Sequence, residues 1–294
     1  MERNPPDKKK LFLLDTWTIL FAVVTYCVGG GFVSYLGKVI NWLAFWTGLI
    51  IVVLFIVSFN FIYEFFRLQE SKAAQKSEKD FRLRTIYLQF GLTTLTIGAV
   101  LTVLLYSVQN IGVVVWLFLA IFFIMNLSNA VPPLSLKKSG YGELVSAVNI
   151  AVLAPAFSVS LQLGDIHPTL VLITFPMFFL FLSMFLAISL EGYFEDIKTN
   201  RNTLMTRLGW KTGINLHNIF ILMTFFIYGL STLLGLSWQL SYPVFFSIPI
   251  AIIQFWEMVR INEGHKPRWK LLRLSSIGTV AVLNYFLLFR MWLG

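Results

Sequence analysis

EGYFEDIKTNRNTLMTRLG, residues 191–209, is a polar stretch set between two apolar runs of membrane length, 169–190 and 213–236. It carries three acids, Glu191, Glu195 and Asp196, together with Lys198, Asn200, Arg201 and Arg207. A polar cluster in that position is either a plain aqueous loop or a site built at a membrane surface. A second stretch, from Asn60 to Arg84, has the same design. Function turns on whether the two meet.

The chain around them is 57% hydrophobic with 29 Phe and 9 Trp, and its mean hydropathy is +0.76. Only 13% of its 294 residues are charged, against about 25% in soluble domains. These numbers describe an all-α integral membrane protein. The apolar runs are continuous rather than alternating, which excludes a barrel. Nine spans are expected, at 13–35, 42–64, 86–107, 110–129, 144–163, 169–190, 213–236, 242–258 and 273–291, within one membrane domain covering 1–294. Each is long enough for a hydrocarbon core of about 30 Å at about 1.5 Å per residue. The first run continues past Gly29, Gly30 and Gly31, too long for a signal h-region, so no cleavable signal is expected.

Charge sets the orientation. Of the 23 bases, all but Lys38 and Arg290 fall at the N-terminus, in the loops 65–85, 130–143, 191–212 and 259–272, or, for Arg273, at the boundary of the last of these. The positive-inside rule places the N-terminus and these loops in the cytoplasm and the C-terminus on the opposite side. The net charge of +9 therefore reflects orientation and contact with anionic lipids, not nucleic acid. A lone Cys27 excludes an intrachain disulfide, and His167, His217 and His265 are too scattered for a metal site.

Three polar constellations stand out. Asn60 and Glu64, four apart, share a helix face at the end of the second span. A carboxylate there needs a partner; it either pairs with Arg67 or takes a ligand or metal role. Asp196 and Asn200 are again four apart and share a face if the helix persists. Both are hard oxygen donors suited to Mg²⁺, and a diphosphate held by such an ion would attract Lys198, Arg201 and Arg207. The third is PPLSLKKSGYGE, residues 132–143, where two prolines end the fourth span and two glycines permit a tight return. Asn126, Asn129 and Asn149 lie near the same depth.

Together these stretches resemble the UbiA superfamily of intramembrane prenyltransferases. Asn60 and Glu64 stand where that family has Asn, three residues, then Asp, with Arg67 or Leu68 at the next Asp position. VPPLSLKKSGYGEL, residues 131–144, is similar to the family's proline-proline-leucine segment and its glycine turn. Asp196-Ile197-Lys198-Thr199-Asn200-Arg201, followed by Thr203-Leu204 and Arg207-Leu208-Gly209, resembles the second motif. The resemblance implies a nine-helix bundle around a cavity open to lipid. Two acidic motifs at the cytoplasmic face would hold Mg²⁺ and the diphosphate of an isoprenoid donor, which alkylates an aromatic or other lipophilic acceptor. It assigns Glu64 and Asp196 as catalytic, Glu64, Asp196 and Asn200 as metal ligands, and Asn60, Arg67, Lys137, Lys198, Asn200, Arg201 and Arg207 to substrate. The motifs are degenerate, because the family usually has four or more acids here. Two readings follow: a Mg²⁺-dependent prenyltransferase, or an inactive homologue that binds a lipid, quinone or pigment or serves as a subunit of a membrane complex. Deep spans show no ionisable residues, which disfavours a transporter.

Overall fold

The computed structural model describes residues 8–70, 78–109 and 111–294. Arg3, Lys72 and Lys76 of the expected basic loops, and Asn110, lie outside these described residues. Nine described helices are long and apolar enough to cross a membrane. They are α1 (Lys8–Tyr35), α2 (Trp42–Glu70), α3 (Glu78–Gln109), α4 (Val113–Ala130), α5 (Gly142–Leu163), α6 (Thr169–Leu190), α9 (Trp210–Leu233), α10 (Trp238–Asn262) and α11 (Trp269–Leu293). Two short helices, α7 (Tyr193–Lys198) and α8 (Leu204–Leu208), occupy the polar stretch between α6 and α9. No described residue forms a named strand; Ser139 and Asn202 make one isolated parallel bridge. α2 runs to Glu70, past the expected span end at 64, so Glu64 and Arg67 sit on continuous helix. The face where α2 ends and α3 begins carries the polar loops and is called the basic face below.

Two spans depart from regular α geometry. In α5 the segment Asn149–Leu153 widens to a π turn. α10 opens with the short helix Trp238–Ser241 and a 3₁₀ segment, Tyr242–Ser247, before its α-helical part starts at Ile248. Pro243 and Pro249 each stand in the first turn of one of these pieces, where a missing N–H costs no helical bond.

α5 and α6 form the centre. Ile150 and Phe157 from α5, and Met177, Phe181 and Phe185 from α6, are almost fully buried. α1 packs on α5 and α11, α2 on α3 and α4, and α9 and α11 on α6. Lipid is as apolar as these side chains, so close approach of backbones rather than water exclusion holds such helices together. α1 achieves this with Gly29-Gly30-Gly31. A Cβ at Gly29 would lie 2.8 Å from Ser158 Cβ and 2.9 Å from Pro155 Cα. One at Gly31 would lie 2.7 Å from Trp292 Nε1, and that indole donates to Cys27 O at 3.0 Å. The same glycines thus seat α1 on both α5 and α11.

Pro176 lies inside α6 and has no N–H to offer Leu172 O. Hydroxyls on α9 face this gap. Tyr228 donates to Ile173 O at 2.9 Å, and Ser231 Oγ lies 3.2 Å from Leu172 O. Thr224 Oγ1 lies 3.3 Å from Pro176 O. Residues 224, 228 and 231 recur at helical spacing, so one face of α9 answers one kink of α6.

Further polar contacts tie α9, α10 and α11. His217 Nε2 is 2.8 Å from Gln254 Nε2, and His217 Nδ1 is 2.9 Å from Asn218 Oδ1. Gln254 and Asn218 thus flank the two ring nitrogens of His217. Thr279 completes the chain by donating to Gln254 Oε1 at 3.2 Å. Near the basic face, the fully buried Glu257 accepts from Arg260 Nη1 at 2.9 Å and from Arg268 through N, Nε and Nη2 at 3.0, 3.0 and 2.7 Å. Both guanidinium groups also lie about 5 Å from the Trp256 ring centroid. Glu257 qualifies the expectation that spans lack ionisable groups: it lies in the last turns of α10, where two arginines reach it from the surface.

Candidate functional site

The site is built from α2 outward. Asn60 and Glu64 share a face of α2, as their spacing requires. Glu64 Oε2 accepts from Arg67 Nε at 2.9 Å and from Nη2 at 2.5 Å. The second carboxylate oxygen, Oε1, is buried and has no hydrogen-bond partner in the protein. Asn60 Oδ1 accepts from Lys137 Nζ at 3.4 Å, while Asn60 Nδ2 is likewise buried without a partner. The Lys137 ammonium also lies 4.6 Å from the Tyr63 ring centroid.

Lys137 reaches α2 because its loop folds back on the end of α4. Leu136 N donates to Ser128 O, Lys137 N to Asn129 O, and Tyr141 N to Leu136 O, at 3.0, 3.2 and 2.8 Å. Gly140 turns this loop with φ +87°, and a Cβ there would lie 3.0 Å from Thr203 O. Glycine is therefore needed both for its backbone conformation and for its closeness to the next segment.

The far side of the loop meets residues 199–208. Arg207 Nε donates to Ser139 O, and Nη1 lies 3.4 Å from Tyr141 Oη. The guanidinium stands 4.6 Å from the Tyr141 ring centroid. Glu143 accepts from Leu204 N at 3.2 Å and from Ser189 Oγ at 3.3 Å. Thr203 and Thr206 cap α8 reciprocally: Thr206 N donates to Thr203 Oγ1 at 3.2 Å, and Thr203 N to Thr206 Oγ1 at 2.8 Å.

Asp196 is buried within α7, 8% exposed. Arg201 closes over it, with its N donating to Asp196 O at 2.8 Å and Nη1 3.5 Å from Oδ1. The helix does not persist to Asn200. α7 ends at Lys198, and Asn200 adopts the left-handed conformation with φ 53°. Asp196 and Asn200 therefore do not share a helix face, and both Lys198 and Asn200 are exposed.

The sequence-derived residues thus fall into groups. Asn60, Glu64, Arg67 and Lys137 come together; Asp196 and Arg201 come together; Arg207 engages the 131–143 loop. That loop connects the two polar stretches through Lys137 on one side and Ser139, Tyr141 and Glu143 on the other. Glu143 and Tyr63 received no role from sequence. Glu143 ends the quoted Gly-Tyr-Gly-Glu turn, and that position is the signal that was available.

No cluster of three or more His, Cys, Asp or Glu suited to a metal occurs among the described residues. Mg²⁺ nonetheless takes one or two carboxylates and fills its octahedron with water and phosphate oxygens. The unpartnered Glu64 Oε1 fits such a role. At the same face, Glu191, Arg268, Trp269, Lys270, Leu271 and Arg273 line a groove of about 550 Å³.

Nine spans with polar groups gathered at helix ends define an all-α integral membrane protein with a polar cap. The family model of the UbiA prenyltransferase family matches residues 79–277, more than half of the chain. The chain belongs to the UbiA prenyltransferase family. The matched region contains the 131–143 loop and the 191–209 stretch, whereas Asn60 and Glu64 precede it. No match to the chain is found among curated proteins.

Proposed function

We propose that this protein transfers an isoprenyl group from an isoprenyl diphosphate to a lipophilic acceptor at its basic, cytoplasmic face. The single observation that carries the reading is the half-buried Glu64, with one oxygen held by Arg67 and the other, itself buried, unpartnered, on the α2 face where Asn60 meets Lys137. The bias of Lys and Arg toward this face supports the cytoplasmic orientation.

In this reading Glu64 and Asp196 hold Mg²⁺, and Asn200, exposed on its turn, is outside the ligand set. The bound ion supplies positive charge to the leaving diphosphate. Lys137, Arg67 and Arg201 add fixed positive charge, with the guanidinium groups suited to bidentate phosphate contacts. Asn60 orients Lys137. Lys198 is a solvent-side contact for the diphosphate, and Arg207 acts by holding the loop that carries Lys137. The allylic C–O bond breaks with its electron pair going to the diphosphate. A bond then forms between that carbon and the acceptor, whose displaced proton leaves with the diphosphate or solvent. The apolar interior shields the allylic cation from water. The basic groove beside Glu191 is where an anionic lipid headgroup would rest.

The Glu64–Arg67 pair favours a second reading, a homologue that binds a lipid, quinone or pigment, or joins a membrane complex, without turnover. Calorimetric titration of the detergent-purified protein with isoprenyl diphosphates of several chain lengths, with and without Mg²⁺, separates the two. Mg²⁺-dependent binding, weakened at least about ten-fold in Asp196→Ala and Glu64→Gln, is expected from loss of charged contacts. No binding at any length by folded protein would overturn the transferase reading.

A further inference from the structure

Arg268-Trp269-Lys270-Leu271-Leu272-Arg273 carries the chain out of its last polar loop and into α11, interleaving three bases with apolar side chains. The helix turns Leu272 into the bundle, where it is buried, and leaves Lys270 exposed. Lys270, Leu274, Tyr285 and Phe289 follow one another at intervals of four, eleven and four residues, so they share a face of α11. Leu274, Tyr285 and Phe289 are all exposed. In a membrane that face meets acyl chains, and Lys270 stands at its basic end.

The bases around Lys270 are held in place and keep open donors. Glu257 takes Arg268 Nε and Nη2, and Trp256 lies against the guanidinium, which leaves Nη1 without an acceptor among the described residues. Arg273 Nη1 is 3.6 Å from Glu191 Oε2, beyond good hydrogen-bond reach. Lys270 pairs with no described carboxylate. With Trp269, Leu271 and a single acid, Glu191, these three bases line the groove of about 550 Å³, a volume inside the range of about 300–1,000 Å³ usual for small-ligand sites. Open, convergent N–H donors select a phosphate. The apolar walls, and the exposed face that continues from Lys270, offer a soluble anion nothing but seat an acyl chain. A zwitterionic headgroup would bring its own cation against the surplus of bases.

We infer that Arg268, Lys270 and Arg273 hold the phosphate of an anionic glycerophospholipid whose acyl chains lie along α11 past Leu274. Basic pockets at this level of a membrane protein suit anionic headgroups. None of the three bases is assigned to the diphosphate, so the site stands or falls independently of the transferase reading. Glu191, which ends α6 and opens the 191–209 stretch, faces the same Arg273, so the headgroup rests against the start of that stretch.

The test equilibrates the full-length detergent-purified chain with dioleoyl phosphatidylglycerol or dioleoyl phosphatidylcholine in mixed micelles and counts retained lipid by native mass spectrometry. Phosphatidylglycerol is expected to bind in a saturable step at least about ten-fold tighter than phosphatidylcholine, the scale of one charge-assisted contact. Lys270→Gln combined with Arg273→Gln, verified as folded, should bring the two lipids within about three-fold of each other. Lys211→Gln combined with Lys266→Gln removes the same charge from exposed positions of the basic face outside the groove and should leave the preference unchanged. Equal retention of the two lipids by the unmodified protein overturns the inference without any variant. So does an equal loss of preference in both double variants, which marks a diffuse attraction to the basic face. Displacement of phosphatidylglycerol by equimolar inorganic phosphate shows a soluble-anion site and overturns it as well.

Discussion

Replacing Glu143 by alanine should loosen the 191–209 segment while leaving the spans in place. Glu143 holds that segment through Leu204 N at 3.2 Å, at the first turn of α8. A hydrogen bond to a charged group contributes about 1.5–3 kcal/mol, and its loss leaves a partly buried N–H unpaired. The Ser189 contact is longer, 3.3 Å, and that hydroxyl can turn to a carbonyl of its own helix, so it adds little. Taking about 2 kcal/mol, the open population of the segment rises about 30-fold, since about 1.4 kcal/mol is a factor of ten. Lys198 and Arg201 supply tryptic sites inside the segment. When reclosing is faster than cleavage, the cleavage rate follows the open population. Mass spectrometry of timed trypsin digests in detergent should therefore show cleavage after Lys198 and Arg201 accelerated about 10- to 30-fold in Glu143→Ala. Glu143→Gln keeps an acceptor and loses only the charge, so a rise of about 5-fold is expected, equivalent to about 1 kcal/mol. An acceleration under about three-fold in Glu143→Ala would refute the claim that this carboxylate fastens the segment.

Three further outcomes follow from the packing and can be read as unfolding midpoints in one detergent. Gly29→Ala should destabilise by about 1–3 kcal/mol through overpacking, because its Cβ meets Pro155 Cα at 2.9 Å; an unchanged midpoint would mean α1 and α5 are not seated there. Tyr228→Phe removes the donor to Ile173 O and should cost about 0.5–1.5 kcal/mol, near the range for hydrogen bonds inside membranes; no loss would show that the carbonyl finds another donor. Glu257→Ala leaves Arg260 and Arg268, both partly exposed and able to turn to solvent, without their shared carboxylate and should cost about 1–3 kcal/mol. A change below about 1 kcal/mol would count against Glu257 as the centre of the α10–α11 connection.

The number of spans was legible because each is a continuous apolar run bounded by charge, and hydropathy needs no tertiary information. The Glu64–Arg67 pair was among the alternatives for the same kind of reason: three residues apart on a helix are neighbours. Legibility failed where contacts are distant in sequence or where a helix ends early. Asn60 meets Lys137 across 77 positions, and Glu143 meets Leu204 across 61. No periodicity encodes those distances. Asp196 and Asn200 have helical spacing, but their shared face required a helix that α7 does not provide: it stops at Lys198, and Asn200 turns left-handed. Asn tolerates that conformation better than most residues, so the residue type that suggested a ligand also serves a turn. Glu257 escaped notice because an acid near a span end looks like ordinary surface charge until two arginines are seen to enclose it.

The polar cap gains its definition from the connection between α4 and α5. Helices in a bilayer are restrained mainly by packing along their sides, and this leaves their ends the freest parts. Asn60 and Glu64 are fixed to α2, whereas Asp196 and Arg201 belong to a short helix and turn with few core contacts of their own. The 131–143 loop is anchored to α4 by backbone hydrogen bonds, to Asn60 by Lys137, and to the 199–208 segment through Ser139, Tyr141 and Glu143. Each tie is modest, but they act on one short piece of chain. Lys137 and Gly140 belong to the same short turn, and Gly140 lies against Thr203 and Arg207. The position of Lys137 over α2 and the register of α8 are therefore mechanically linked, so substitutions at Gly140 should disturb both polar stretches together.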